Sequence, residues 1–342
     1  MFSYRQILRN AFKISWKNKY LWFFGIFASF LSIGSEYQIL WRSLSQQASL
    51  KWYAGWANFL DTGIFTGKSL VAIGQLFAAN PGKMIALLIF LLIVLGVAIA
   101  VIWLAVASQV AIVSNSEKII KNRKDKAEVG MHDGLRAGSN NFWSVFGLNL
   151  FSKIIINIVV ILITLPLLFT AINKSAGHII YIILFVLLIP VAIAISLLMK
   201  YAITYVILKK QKMFAALKNA WNLFLANWII SLEMALLLFV ISFLATLAIL
   251  LASLIIAVPF IILATSFFHL LSMSAFWVMV ILAFIVITVF IILSGAWLST
   301  FQVIVWTNLF MQLNSAKGGE SKLERVLPEK VKNINLGSDT IQ

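Results

Sequence analysis

Cysteine is absent from the chain. That excludes disulfides, thiolate metal sites and cysteine nucleophiles, and it leaves the compartment open. Charge is scarce: Asp, Glu, Lys and Arg make up 11% of 342 residues, against about 25% in a soluble domain. Acidic residues are the rarer sign, 11 against 27 basic ones. Between Glu233 and Lys317 there is no charged residue of either sign, and only His269 can titrate near neutrality. No HExxH, GxSxG or closely spaced metal-ligand set occurs, and His132, His178 and His269 fall at three different expected depths or sides. The sequence therefore offers no catalytic, cofactor-binding or metal-ligating residues.

What fills the chain instead is apolar. Hydrophobic residues are 62% of it and the mean hydropathy is +1.00. A soluble fold of this length cannot hide so much apolar surface, and uncharged runs far beyond eighteen residues nominate membrane spans. The net charge of +16 sits in patches between those runs. This is the bias of a polytopic protein with its basic loops on the cytoplasmic side, and it excludes a nucleic-acid partner as the leading explanation.

The expected class is all-α: a polytopic helical membrane protein with six transmembrane helices. Residues 1–19 form a basic amphipathic helix. Arg5, Arg9, Lys13 and Lys17 recur every four residues, opposite Tyr4, Ile7, Leu8, Ala11, Phe12 and Trp16. Such a helix lies in a membrane interface with its cations toward headgroups. The first span is Tyr20–Ile33. A secretory leader is the rival reading of this stretch, but the basic lead is long for one. The insert 34–83 should hold two or three short helices, lying on the outer surface or folded against the bundle, ending at Asn80-Pro81-Gly82. Further spans are expected at Met84–Val113, Val145–Thr170, His178–Leu208 (kinked at Pro190), Trp228–Val258 (ended by Pro259) and Ala275–Thr300. Surface helices should precede the third and fifth, at His132–Trp143 and from Met213. Phe260–Ser274 should be broken and interfacial. Of the 27 basic residues, 21 fall on the side of both termini, which predicts that both are cytoplasmic.

Three junctions between surface helix and span align. They are Ala11-Phe12-Lys13-Ile14-Ser15-Trp16, Gly134-Leu135-Arg136-Ala137-Gly138-Ser139 and Ala216-Leu217-Lys218-Asn219-Ala220-Trp221. The shared pattern is small, apolar, basic, any, small, then Trp or Ser. It divides the chain into three units, 1–127, 128–212 and 213–313, each an interfacial helix plus two spans, followed by a basic cytoplasmic tail, 314–342. The pattern resembles the membrane region of some bacterial glycerophosphoryl diester phosphodiesterases and related stand-alone six-span bacterial proteins of unknown function. The phosphodiesterase part itself is missing, so the resemblance implies a membrane module and carries over no catalytic residues.

Two further motifs need weighing. Gly63-Ile64-Phe65-Thr66-Gly67-Lys68-Ser69 imitates a phosphate-binding loop but has three residues between its glycines where four are required; it is read as a turn before a surface helix. Lys153 and Glu233 sit a few residues inside their spans at similar depths. A lone charge at mid-membrane costs about 2.5–3.5 kcal/mol on insertion scales. Snorkelling, a structural ion pair, or a transport or headgroup role are the readings of these two. Gln109, Asn157, Gln302 and Asn308 are candidates for hydrogen bonds between helices.

The function expected from all this is that of a non-enzymatic integral protein of a bacterial cytoplasmic membrane, organising membrane, lipid or a partner protein. The alternative is a small transporter or channel using Glu233 and Lys153. Arg5, Arg9, Lys13, Lys17 and Lys218 are the candidate contacts to anionic headgroups.

Overall fold

A computed structural model describes residues 4–32, 80–121, 130–164, 174–270 and 272–315. The insert with its phosphate-loop-like segment, most of the basic run after Lys121, the turn before Lys174 and the tail from 316 lie outside these residues. Among the described residues there are eight helices: α1 (Tyr4–Lys17), α2 (Tyr20–Ser32), α3 (Pro81–Lys121), α4 (Met131–Thr164), α5 (Lys174–Lys209), α6 (Met213–Ala226), α7 (Trp228–Leu270) and α8 (Met273–Asn314).

Five of them, α3, α4, α5, α7 and α8, are long and apolar enough to cross a membrane. The protein is therefore an all-helical, multi-pass membrane protein. At ~1.5 Å per residue α7 and α8 are each over ~60 Å long, about twice a ~30 Å hydrocarbon core, so both ends of these helices must stand in headgroups or water. Helix α2 is the exception. Its 13 residues reach only ~20 Å.

Two boundaries differ from expectation. The surface helix His132–Trp143 and the span after it form one unbroken helix, α4. In the other two junctions Asn18 separates α1 from α2 and Asn227 separates α6 from α7. Asn18 and Asn227 each donate from their side-chain amide to the carbonyl four residues back, Ile14 at 2.9 Å and Leu223 at 3.1 Å. Asn141 makes the same bond to Ala137 but leaves its helix intact. Pro259 likewise does not end α7, which runs on through Phe260 to Leu270. A proline costs a helix one hydrogen bond, and within a packed membrane helix that loss is tolerated. Pro190 also stays inside its helix.

The chain divides into two compact units. One comprises Gly34–Leu104 and Leu150–Ser196. Its core is a small cluster of Val159 and Ile163 from α4 with Tyr181, Ile189 and Ala192 from α5. The other comprises Met1–Ile33, Ala105–Asn149 and Leu197–Gln342 and holds most of the buried residues. Small side chains make its seams. In all three aligned junctions, the two small residues spaced four apart are buried: Ala11 and Ser15, Gly134 and Gly138, Ala216 and Ala220. The basic residue between each pair, Lys13, Arg136 or Lys218, is exposed. Four-residue spacing puts both small residues on one helix face, where a neighbour can approach closely.

The approach is tightest at three glycines. A Cβ on Gly138 would lie 2.8 Å from the Cα of Ala107 on α3, and one on Gly134 would lie 2.9 Å from the Ala111 Cβ. Gly25 of α2 rests directly on the Ala296 carbonyl and the Thr300 hydroxyl of α8. Thr300 in turn donates to the Leu21 carbonyl at 3.1 Å, tying the same two helices. Gly25→Leu and Gly138→Leu should therefore each destabilise the protein by about 1–3 kcal/mol or more, read as an earlier thermal transition in detergent. Gly96→Leu, whose Cβ meets nothing within 4 Å, should leave the transition where it is.

Candidate functional site

Helix α1 has two distinct faces. Tyr4, Ile7, Ala11 and Ser15 are buried, whereas Arg5, Arg9, Lys13 and Lys17 are all exposed. The buried side packs on α8. Aromatic rings fix the C-terminal half: Phe12 and Trp16 both meet Trp297 of α8 edge-on, and Trp16 meets Trp22 of α2. Trp22 also donates its indole N–H to the Ser15 carbonyl at 2.8 Å, satisfying one of the carbonyls that a helix end leaves open.

The N-terminal half is fixed differently. The Tyr4 hydroxyl donates to Oε2 of Glu233, on α7. This gives the Glu233 carboxylate one partner, five residues into a span, where an unsatisfied charge is costly. The sequence left Glu233 and Lys153 open between snorkelling, a structural ion pair and a transport or headgroup role. Lys153 is exposed on α4, and its carbonyl accepts from Asn157 at 2.9 Å. The phenol partner was not legible, because 229 residues separate it from Glu233.

Beneath α1 lies an open groove of about 750 Å³. Leu8 and Phe12 line it from α1, Leu236, Leu237 and Ile241 from α7, and Phe301 from α8. Its polar lining comes from Tyr4, Arg5, Arg9 and Glu233. Glu233, Leu237 and Ile241 are spaced by four, so they stand on one face of α7. The apolar wall therefore extends ~12 Å along the span away from the carboxylate. The volume falls in the ~300–1,000 Å³ range of small-molecule sites, and the few polar groups at one end would orient an amphiphile.

Polar side chains elsewhere in this unit join helices. Gln109 of α3 accepts from Asn149 of α4 at 2.8 Å, and Gln302 of α8 donates to Ser242 of α7 at 2.8 Å. Tyr201 of α5 shares a 2.7 Å bond with Ser231 of α7 and packs its ring against Trp306 and Phe310 of α8. The ammonium of Lys200 lies 4.5 Å from the Trp306 ring centroid, a cation–π contact. Asn308 is buried and its amide nitrogen has no hydrogen-bond partner among the described residues. Lys218 stands exposed on α6, away from any of the groove's lining residues in sequence. His132 is exposed at the start of α4. No group of three His, Asp or Glu side chains gathers at a metal-sized site among the described residues.

No protein-family profile, curated protein or solved structure matches the chain.

The Tyr4–Glu233 bond yields a prediction. A hydrogen bond to a charged acceptor contributes about 1.5–3 kcal/mol, so Tyr4→Phe should loosen the start of α1 and speed tryptic cleavage after Arg5 and Arg9 about tenfold. Cleavage at the wild-type rate would show that the aromatic contacts alone hold the helix.

Proposed function

We propose that the protein is a non-enzymatic integral protein of a bacterial cytoplasmic membrane, with six spans and both termini cytoplasmic, and that it organises lipid or a partner protein at the inner leaflet. One observation carries this reading: α1 is docked by its small and apolar face, which leaves Arg5, Arg9, Lys13 and Lys17 all exposed. A helix so oriented presents a cationic stripe at headgroup level. Lys218 occupies the equivalent exposed position on α6. The three-unit organisation of 1–127, 128–212 and 213–313 is part of the proposal, supported by the shared burial of the paired small residues.

The conduit reading has its own observation, because Glu233 does line a groove. The walls beyond the carboxylate are wholly apolar, which favours a chain of methylenes over a hydrated ion. Glu233→Gln should therefore leave ion leak through proteoliposomes unchanged. A large change in leak would favour the conduit.

Two measurements test the leading reading. Each basic side chain near an anionic leaflet contributes about 1 kcal/mol. The quadruple variant Arg5→Glu, Arg9→Glu, Lys13→Glu, Lys17→Glu should thus lose most of the wild type's enrichment of phosphatidylglycerol over phosphatidylcholine in its co-purified lipid. Unchanged enrichment defeats the reading. For topology, the chain has no cysteine, so single cysteines report cleanly. Ser3→Cys, Lys126→Cys and Ser315→Cys should react with an impermeant maleimide from the cytoplasmic face, and Asn80→Cys and Lys174→Cys from the other. Labelling of Ser3→Cys and Asn80→Cys from one face would mean that the short α2 does not cross.

A further inference from the structure

The groove under α1 takes in only part of the exposed cationic stripe. It is a bounded space with a polar end and an apolar end, and two of the four α1 cations line it while two do not. Arg5 and Arg9 are one helical turn apart, so their guanidinium groups can converge on one anion. Arginine is suited to this because its planar fork gives paired hydrogen bonds to phosphate oxygens. Glu233 lines the same end and accepts from Tyr4. The formal charge of the lining is therefore +1, from two arginines and one carboxylate. That matches a single phosphodiester with an uncharged headgroup. A headgroup that brings its own ammonium would place a second cation beside the arginines.

The apolar end asks for hydrocarbon. Leu237 and Ile241 continue the Glu233 face of α7 into the span, and Phe301 closes it from α8. Leu236, also in the lining, is exposed. A leaflet lipid would reach this slot from the side without leaving its layer, because the groove is open and α1 lies along its rim.

We infer that the groove holds one anionic glycerophospholipid of the adjoining leaflet, its phosphodiester between Arg5 and Arg9 and one acyl chain along Leu237, Ile241 and Phe301. The inference rests on the reading that α1 faces anionic headgroups, and it adds a site of defined stoichiometry to what is otherwise a diffuse attraction.

The test is native mass spectrometry of the full chain released from nanodiscs of mixed phosphatidylglycerol and phosphatidylcholine. The wild type should retain one phosphatidylglycerol. Arg5→Gln with Arg9→Gln should reduce that retention at least tenfold, and so should Leu236→Trp, which narrows the slot at an exposed position. Arg136→Gln with Lys209→Gln removes the same charge from exposed sites elsewhere and should change it less than twofold. Equal losses in the two double variants, full retention by Leu236→Trp, or equal retention of phosphatidylcholine would each overturn the site. A second readout needs no variant. Phosphatidylglycerol carrying an acyl-chain diazirine should crosslink mainly to 236–241 and Phe301. Adducts spread evenly over 87–101 would overturn the site too. The outcomes separate from those of the broader reading. If the site fails while the quadruple Glu variant still loses its enrichment, only diffuse attraction stands. If that enrichment never changes, the broader reading falls as well.

Discussion

Apolar surface gives membrane helices no reason to associate, because lipid tails are as apolar as leucine. Something else must hold them, and here it is the close approach permitted by side chains of one carbon or none. Ala11, Ser15, Gly134, Gly138, Ala216, Ala220 and Gly25 are all buried, and at Gly25, Gly134 and Gly138 another helix draws near enough that a Cβ would collide with it. The Thr300–Leu21 bond depends on this. A hydroxyl reaches a carbonyl on another helix at 3.1 Å only because Gly25 adds no bulk between the backbones. The Gln109–Asn149 and Gln302–Ser242 bonds then fix which residues face each other.

The distribution of those seams explains where the exposed apolar surface lies. In α3, Ala105–Asn115 are mainly buried, while Phe90, Leu92 and Ile93 are each at least 60% exposed. Such exposure would be an aggregation hazard in water. In a bilayer it is ordinary lipid contact, and it costs nothing as long as no polar group shares it. Along 85–102 the sequence meets that condition, with no charged or amide side chain.

Much of this was legible in the residues, and the exceptions have physical causes. Long apolar runs marked the five long helices found among the described residues, and the four-residue basic repeat marked an exposed side of α1, although Phe12 and Trp16, expected on the opposite side, are exposed as well. The junction motif was visible as a pattern, and its first and fifth positions, the small residues, are the buried ones, while the basic residue between them is exposed. Pro259 misled because proline rules come from helices in water; inside a membrane, unfolding the helix would strand more peptide groups than the proline itself does. The continuity of α4 had no signal, since Asn141 makes the same side-chain bond as Asn18 without ending its helix. The groove was not legible at all. It is built from 4–12, 233–241 and Phe301, and no local pattern reports which distant helix lies across another.

The position of that groove follows from how α1 is attached. Tyr4 is the first residue of the helix and is held by Glu233. Ser15 and Trp16, near the other end, are held by Trp22 and Trp297. The residues that line the groove, Arg5, Leu8, Arg9 and Phe12, lie between those two attachments. A helix held near both ends, and packed on α8 between them, gives the open groove a firm wall. An occupant then orders few side chains on arrival, which is the condition under which a small apolar contact yields useful affinity. The same geometry explains why a carboxylate is kept inside a span despite its cost. Glutamate at position 233 is the acceptor for the Tyr4 hydroxyl, and an apolar residue there would remove that bond from the start of α1.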